Sequence, residues 1–397
     1  MPRSCVPPLV LHAPPLGALL RRYAAGTALT CEPVDEGLLN RGYRLRTTRG
    51  RYFLKHHFDP DTADPASIAR QHRATERLAD LGVPVAPPLP GRDGRTVAVV
   101  GGHAYALHPW IDGRHRHGAQ LTPGQCGRLG ALLGVVHASL EHVMRTAHGS
   151  RGRGPVPPPR GPEPAPARRT APPEPAARAG AGAPVEPPTA AERTTPAERT
   201  PPGEAAVASA SPEAADTFAL IDDLLARVRR HRPADSFDEL ARHRLLERRT
   251  LLERHADRRP PHGGPVGWVH GDFHPFNLLY RGDAPAAIVD WDRLGVQPRA
   301  EEAVRAAAIF FVRPDGTLDL PKARQYARAY RHAAGATPSE LAAAVHRVWW
   351  ERLNDFWMLR WHYERGDTRA DSQFPAASAL VVWWTREYDA VCGTFAD

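Results

Sequence analysis

The sequence predicts an α+β protein with a small β-rich N-terminal lobe and a larger α-helical C-terminal lobe. Short strand patterns dominate up to residue 109, and helical periodicity dominates from residue 110 onward. A length of 397 residues also exceeds what a single compact core usually holds. We therefore assign residues 1–109 to the first lobe and residues 110–397 to the second, with a disordered Pro/Ala-rich insertion at 149–213.

The first lobe is predicted from two strand pairs and one helix. Residues 43–57 indicate two strands around a turn at Arg49-Gly50, and two further short strands follow near 96–100 and 103–108. Asp64-Pro65 has the form of a helix start, with the aspartate as cap and the proline in the first position. The first lobe is thus expected to be a small sheet with one helix.

The second lobe is predicted from apolar stripes with helical spacing. We expect helices at 121–143, 214–231, 237–255, 300–312, 321–334, 338–363 and 375–391, and a loop-and-strand block at 266–292. The interrupting stretch differs in composition, because residues 151–212 hold 17 of the 42 prolines and no aromatic residue. Such a segment buries too little apolar surface to offset its ordering entropy. It is either a tolerated loop or a docking segment for a partner.

Composition excludes several classes of protein. The net charge is +8, but no dense basic run or basic–aromatic helix accompanies it, so nucleic-acid binding is not expected. No apolar run is long enough for a transmembrane helix, and early prolines disfavour a secretory signal. The four cysteines have no metal or redox spacing, which fits a cytoplasmic protein. The sequence contains nothing that fixes the oligomeric state.

Three polar residues in the block 268–292 are expected to converge. Asp272 and Asn277 lie in the run His-Gly-Asp-Phe-His-Pro-Phe-Asn, and Asp290 follows a short apolar strand in Ile-Val-Asp-Trp-Asp. A hairpin with its turn at 281–284 would bring Asp290 back beside Asn277. Phosphoryl transfer needs such a set, because a carboxylate positions the attacking hydroxyl while oxygen ligands hold magnesium against the phosphates.

These two runs resemble the signature of the aminoglycoside phosphotransferase and choline-kinase-like families, which share the protein-kinase-like fold. Their pattern is His-Gly-Asp-x-His-x-x-Asn, followed by an apolar strand that ends in Asp-Trp-Asp/Glu, and this chain matches every defined position. The resemblance implies that Asp272 is the catalytic base and that Asn277 and Asp290 bind Mg²⁺. It leaves Asp292 two roles, either contact with a second metal ion or capping of the next turn. ATP and Mg²⁺ are the cofactors it implies.

The resemblance also implies the nucleotide-binding residues of the first lobe. Lys55 is one of only two lysines in an arginine-rich chain and would reach the α- and β-phosphates. Glu76 is the candidate partner of Lys55, although the family usually places this acid where the chain has 70–72, and a surface glutamate is the alternative. Asn40 and Gly42 lie where a phosphate-covering loop belongs, or in an ordinary hairpin.

Two further groups of residues complete the prediction. Adenine would hydrogen-bond backbone groups near His108 and Trp110. The segment 345–391 holds six of the nine tryptophans, with acidic residues interleaved. The tryptophans and acidic residues would attract a cationic acceptor. Alternatively, the tryptophans are helix core and the acidic residues form a solvated face.

We therefore predict a kinase of a small hydroxylated molecule, such as an aminoglycoside-like antibiotic, an amino alcohol, homoserine or a sugar. The alternative is a catalytically silent kinase-like binding or assembly module. The sequence does not distinguish ATP from GTP.

Overall fold

The computed structural model describes residues 14–34, 40–58, 63–149, 211–261 and 263–397. The insertion predicted at 149–213 lies outside the described residues except at its two ends, and so do Gly37, Leu38 and Leu39 of the predicted phosphate-covering loop. Among the helices of the described ranges, none is long and apolar enough to cross a membrane.

The N-terminal part is a five-stranded antiparallel sheet in the order β1-β2-β3-β5-β4. Its strands are β1 Ala28–Val34, β2 Arg41–Thr47, β3 Gly50–His57, β4 Val97–Val100 and β5 His103–Pro109. The predicted turn at Arg49-Gly50 is confirmed, because Thr47 and Gly50 close the β2–β3 ladder. Alternating residues of these strands build a core with α1, Leu16–Tyr23, a helix that the sequence analysis did not predict.

The helix after β3 is α2, Pro65–Asp80. It begins as predicted, since the Asp64 carboxylate accepts hydrogen bonds from the backbone N–H groups of Ala66 and Ser67 and Pro65 needs no donor partner in the first turn. The buried face of α2 carries Ile68, His72, Ala74, Thr75 and Leu78. These residues recur at helical spacing. Ile68 packs against the sheet, whereas Ala74 packs against the helix Pro123–Gly149 and Leu78 belongs to the core of the C-terminal part.

The C-terminal part is mainly helical. Its helices are α3 Pro123–Gly149, α4 Ala214–Arg230, α5 Ser236–His255, α6 Arg299–Phe310, α7 Leu320–Ala334, α8 Pro338–Asn354, α9 Trp357–Arg360, α10 Phe374–Arg386 and α11 Tyr388–Ala396. Trp349, Trp350 and Trp384 are fully buried in the core of this part. The interpretation of these three tryptophans as helix core is therefore correct.

Two of the predicted helices are too long. The helix predicted at 338–363 ends at Asn354, because Asp355 is extended and its carboxylate accepts a hydrogen bond from the Trp357 backbone N–H, which starts α9. A turn of π-helix, Trp361–Arg365, follows α9. The helix predicted at 375–391 is divided at Glu387 into α10 and α11. In both places the apolar stripe continues past the break, which is why periodicity alone predicted one helix.

Two small hairpin-like sheets hold the block that carries the motif. β7 Leu278–Arg281 pairs with β8 Ala284–Ile288 around the predicted turn, and β6 Val266–Val269 pairs with β9 Gly295–Pro298. The Val289 N–H donates to the Asn277 carbonyl at 3.0 Å, so the chain after β8 returns to Asn277 as predicted. The division into lobes at residues 109 and 110 falls at the end of β5 and stays a prediction.

Candidate active site

The loop between β6 and β7 depends on a glycine. Gly271 has φ +85°, and a Cβ atom at this position would lie 2.1 Å from the Arg293 carbonyl oxygen. Any other residue would therefore be both strained and in collision with backbone. The close approach joins the loop that begins at His270 to the segment that follows Asp292.

His270 shapes this loop from inside. Its side chain is buried, its Nε2 atom donates to the Val289 carbonyl at 3.0 Å, and its Nδ1 atom accepts from the Asp272 backbone N–H at 3.2 Å. This pair of bonds requires the neutral imidazole with its proton on Nε2. Burial lowers the pKa of His270, which keeps the ring in this neutral form.

Glu302, near the start of α6, holds the back of the same loop. Its buried carboxylate accepts hydrogen bonds from the backbone N–H groups of Gly271 at 2.5 Å and His270 at 3.2 Å. His137 of α3 contacts it at 2.7 Å through Nε2, and the Tyr330 hydroxyl lies 3.0 Å from Nδ1 of the same ring. Burial would raise the pKa of Glu302, but these hydrogen bonds hold it below its ordinary value.

This role of Glu302 could not be predicted from the sequence. An acid in the first turn of a helix is common, because it complements the helix dipole. Only the fold shows that the side chain turns inward to the loop.

Asp272 lies on the open side of the loop, where the side chain of the buried Asn277 contacts it. The Asn277 Nδ2 atom donates to the Asp272 carbonyl at 2.9 Å, and the Asp272 carboxylate lies 3.6 Å from Nε2 of His274. The side chain of Asp272 is 33% exposed, which leaves its oxygens accessible to a ligand. Within the described ranges, the amide oxygen of Asn277 accepts no hydrogen bond, so it too is available.

Lys55 joins the N-terminal sheet to the segment after β8. Its Nζ atom lies 2.6 Å from Asp290 Oδ1 and 2.7 Å from Asp292 Oδ2. Burial would lower the pKa of Lys55, but the two carboxylates raise it above its ordinary value. Burial would likewise raise the pKa of Asp290, but the Lys55 ammonium holds it low, so Asp290 stays ionised. Burial and the neighbouring Asp290 raise the pKa of Asp292.

The acid that the sequence analysis sought for Lys55 is not Glu76. Among the described residues, the ion pairs of Lys55 are with Asp290 and Asp292 alone, and Glu76 is half-buried elsewhere on α2, where burial raises its pKa. The α2 side chain that reaches this cluster is Gln71, whose Nε2 atom donates to the Asp292 carbonyl at 2.9 Å. The helix phase explains the error, because the five residues from Gln71 to Glu76 place the two side chains about 140° apart around the helix axis.

Asn40 and Gly42 lie beside this cluster. The Asn40 side chain donates to the Asp292 carboxylate and accepts from the Phe58 backbone N–H at 2.9 Å. Gly42 faces Lys55 across the β2–β3 ladder, and a Cβ atom there would lie 2.6 Å from the Phe53 ring. Packing of Phe53 is thus one reason for this glycine, and contact with phosphate stays a prediction for both residues.

The predicted adenine contacts have separate outcomes. The Trp110 backbone N–H already donates to the Arg51 carbonyl at 3.1 Å, because the β3–β5 ladder continues one residue past Pro109. This N–H donor is therefore occupied, and an adenine contact with another backbone group near Trp110 stays a prediction. His108 is part-buried, with Nδ1 2.9 Å from the Ala86 carbonyl, and a nucleotide contact near it stays a prediction.

A cavity of about 540 Å³ opens beside Asp272. Its charged lining includes Asp272, Asp292, Arg293, Arg305 and Glu351. Arg305 holds Glu351 through two hydrogen bonds of 2.9 and 2.8 Å. The volume lies within the range of small-molecule sites.

The donor set fits a hard divalent cation. Asp290 is ionised and its side chain is 43% exposed, while Asn277 offers an uncommitted amide oxygen. Mg²⁺ prefers a small number of carboxylate and carbonyl oxygens and keeps the rest of its shell for water and phosphate. Asp292 is 10% exposed and already contacts Lys55 and Asn40, so it has less room for an ion.

The antiparallel sheet, the helical part and the carboxylates that face a strand lysine define a protein-kinase-like protein. Solved structures share the fold. The microcompartment-associated aminopropanol kinase has a TM-score of 0.52 at 15% identity and covers 96% of this chain and 100% of its own. An aminoglycoside phosphotransferase from Alicyclobacillus acidocaldarius has a TM-score of 0.51 at 12% identity, covering 94% of this chain and 93% of its own.

The family follows from the sequence match. The model of the phosphotransferase enzyme family (APH) matches residues 30–336, and the chain belongs to this family. The family resemblance of the motif is thereby confirmed.

Curated relatives match more locally. A homoserine kinase from Granulibacter bethesdensis is 30% identical over 122 residues, which are 31% of this chain and 37% of that protein. A homoserine kinase from Burkholderia ambifaria is 32% identical over 124 residues, 31% of this chain and 35% of that protein. The matched stretches thus span well under half the length of these relatives.

Proposed function

We propose that this protein transfers the γ-phosphoryl group of Mg-ATP to a hydroxyl group of a small molecule. The observation that carries the proposal is the cluster of Lys55, Asp290 and Asp292, because Asp292 also lines the cavity beside Asp272. The Lys55 ammonium, which would bind phosphate, and a carboxylate that would bind the metal ion therefore lie next to Asp272. The Asp272 carboxylate would receive the hydroxyl group of the acceptor.

Asp272 is the proposed catalytic base. Burial would raise its pKa, but His274 and Arg293 hold it below the ordinary value, so the carboxylate is ionised at neutral pH. A base of such low pKa is suited to orienting the hydroxyl and accepting its proton late in the transfer. The hydrogen bond from the Asn277 side-chain amide to the Asp272 carbonyl and the glycine at position 271 fix its position.

Lys55, Asn277 and Asp290 are the proposed phosphate and cation ligands. Mg²⁺, when bound, would supply charge neutralisation for the phosphate oxygens. The compact ammonium of Lys55 suits a place between phosphates better than a guanidinium does. The amicoumacin kinase hAmiN, which shares the fold with a TM-score of 0.50 at 14% identity over 91% of each chain, was crystallised with AMP-PNP, Ca²⁺ and amicoumacin, which supports a nucleotide and a divalent cation in this fold.

The charges of the cavity bear on the acceptor. Glu351 is compensated by its two bonds to Arg305, and Arg293 is exposed beside Asp272. A cavity wall with both positive and negative charges complements an acceptor that has an ammonium and a carboxylate group better than it complements a polycation. We therefore favour a hydroxylated amino acid of the size of homoserine over an aminoglycoside.

The test is ADP release from Mg-ATP across a panel of acceptors. Homoserine is compared with 3-amino-1-propanol, which lacks the carboxylate, and with 4-hydroxybutyrate, which lacks the ammonium group. Aminoglycosides, choline and sugars complete the panel. Asp290→Asn is measured beside Asp257→Asn, a change at an exposed aspartate outside the cavity lining.

Acceptor-dependent turnover that Asp290→Asn abolishes and Asp257→Asn retains supports the phosphotransferase. Faster turnover of homoserine than of both truncated analogues supports the acceptor class. Tight ATP binding without turnover of any acceptor favours the silent kinase-like module. Absence of nucleotide binding overturns the proposal.

A further inference from the structure

A second cluster of ligand-type side chains lies apart from the cavity beside Asp272. His231 follows the end of α4, Asp238 lies in the first turn of α5, and His362 lies in the π-helical turn after α9. Each offers one ligand atom, and the three atoms lie within 4.8 Å of one another. None of the three residues lines the cavity that contains Asp272.

His231 and Asp238 form the first pair of the cluster. The Nδ1 atom of His231 lies 2.9 Å from Asp238 Oδ2, and the side chain of Asp238 is only 5% exposed. In the structure this contact is a hydrogen bond. A metal ion can replace the shared proton, with the two atoms moving apart to about 3.3 Å as neighbouring tetrahedral ligands.

His362 is held in the orientation of a metal ligand. Its Nδ1 atom lies 2.8 Å from Asp371 Oδ2, and the Phe237 ring stacks on it at a centroid distance of 4.3 Å. Its side chain is 7% exposed, yet its Nε2 atom has no hydrogen-bond partner in the part of the chain that the structure describes. A carboxylate on one ring nitrogen leaves the lone pair of the other for a metal.

The remaining oxygen of Asp238 is also fixed. The Tyr363 hydroxyl donates to Asp238 Oδ1 at 2.7 Å, which orients the carboxylate so that Oδ2 faces His231. Both His362 and Asp238 thus have an outer partner on the atom that a metal would not use. Such outer partners are typical of protein metal sites, where they set the tautomer and the direction of the ligand.

We propose that His231, Asp238 and His362 bind a divalent transition-metal ion, with Zn²⁺ as the best match. Two imidazoles and one carboxylate form the mixed nitrogen and oxygen set that Zn²⁺ accepts, and water completes the tetrahedron. The ion joins the loop between α4 and α5 to the turn after α9. Its role is therefore to fix the C-terminal helices relative to α5, and no step of phosphoryl transfer depends on it.

The experiment uses the full, tag-free chain after dialysis against a chelator. Zn²⁺ is titrated in competition with a chromogenic chelator, and Co²⁺ is titrated to observe the visible d–d bands of a tetrahedral site. The expected result is one tight equivalent of Zn²⁺ per chain, a raised Tm, and a tetrahedral Co²⁺ spectrum. His243→Ala serves as the matched control, because His243 is an exposed histidine of the same helix, α5.

The variants separate ligands from their supports. His362→Ala and His231→Ala are expected to abolish the tight equivalent, and His231 is the more exposed, so its loss disturbs folding less. Asp371→Asn is expected to weaken Zn²⁺ binding about 10- to 100-fold and leave the stoichiometry unchanged. His243→Ala binds as the wild type does. The proposal is overturned if the wild type takes up no stoichiometric Zn²⁺, or if the ligand variants bind it with wild-type affinity.

Discussion

The carboxylates on the two sides of the loop 270–277 differ in burial and in hydrogen bonding. On the back, Glu302 accepts three hydrogen bonds, from two backbone N–H groups and His137, and is fully enclosed. On the front, Asp272 and Asp290 keep exposed oxygens beside a cavity and a lysine. A buried carboxylate whose two oxygens are both committed to hydrogen bonds fixes geometry, whereas one with exposed oxygens can bind a ligand.

This difference indicates that one face of the loop stabilises the fold and the other is available to a ligand. The backbone N–H groups of His270 and Gly271 point backward to Glu302, while the carboxylate of Asp272 is exposed on the open side. Changes on the front should therefore affect rate, and changes on the back should affect stability first.

Asp272→Asn should give the largest effect. Removing the proposed base is expected to lower kcat about 10²- to 10⁴-fold. The free energy of unfolding should change by less than about 1 kcal/mol, because the carboxylate is partly exposed. Single-turnover kinetics with the best acceptor and urea unfolding measure the two quantities, with Asp257→Asn as control. A variant that keeps more than a tenth of the wild-type rate would remove Asp272 from the role of base.

Glu302→Gln should reverse this pattern. The amide replaces one acceptor oxygen with a donor that faces backbone N–H groups, so we expect a loss of about 3 kcal/mol in the free energy of unfolding. The rate should fall less than in Asp272→Asn. Glu239→Gln, at an exposed acid in the first turn of α5, is the matched control. Equal stability of the two variants would show that the back of the loop does not depend on this carboxylate.

The interior behind Lys55 should show a pH dependence of stability. His57 is buried, its ring nitrogens have no hydrogen-bond partner in the described residues, and burial together with Lys55 lowers its pKa to about 2. The unfolded chain binds a proton at this histidine below about pH 6.5 while the folded chain does not, so stability falls as the pH falls. From pH 7 to pH 5 the loss from His57 is about 2 kcal/mol.

His57→Leu removes this titration. Its drop in unfolding free energy between pH 7 and pH 5 should be about 2 kcal/mol smaller than that of the wild type. His332→Leu, at an exposed histidine of α7, should leave the drop unchanged. Urea unfolding at the two pH values checks both variants. Identical drops in wild type and His57→Leu would mean that the pKa of His57 is the same in the folded and the unfolded chain.

Local signals carried most of what could be predicted. The turn at Arg49-Gly50, the cap at Asp64 and the return of the chain to Asn277 depend on neighbouring residues, and the structure has all three. The prediction that Glu76 pairs with Lys55 was wrong, because it depends on which face of α2 meets residues far along the chain. Gln71, not Glu76, lies on the face that contacts Asp292. The role of Glu302 and the cluster of His231, Asp238 and His362 could not be predicted for the same reason, because both are formed by segments that are distant in the sequence.

Asp290 combines its charge with an unusual backbone, since its φ of +60° lies in the left-handed region. Among residues with a side chain, aspartate and asparagine enter this region most readily. Glutamate at this position would keep the negative charge but would be strained in the left-handed conformation. Asparagine would adopt the same backbone conformation but would lack the charge. Asparagine at this position would thus preserve the shape of the molecule and weaken the proposed binding of Mg²⁺.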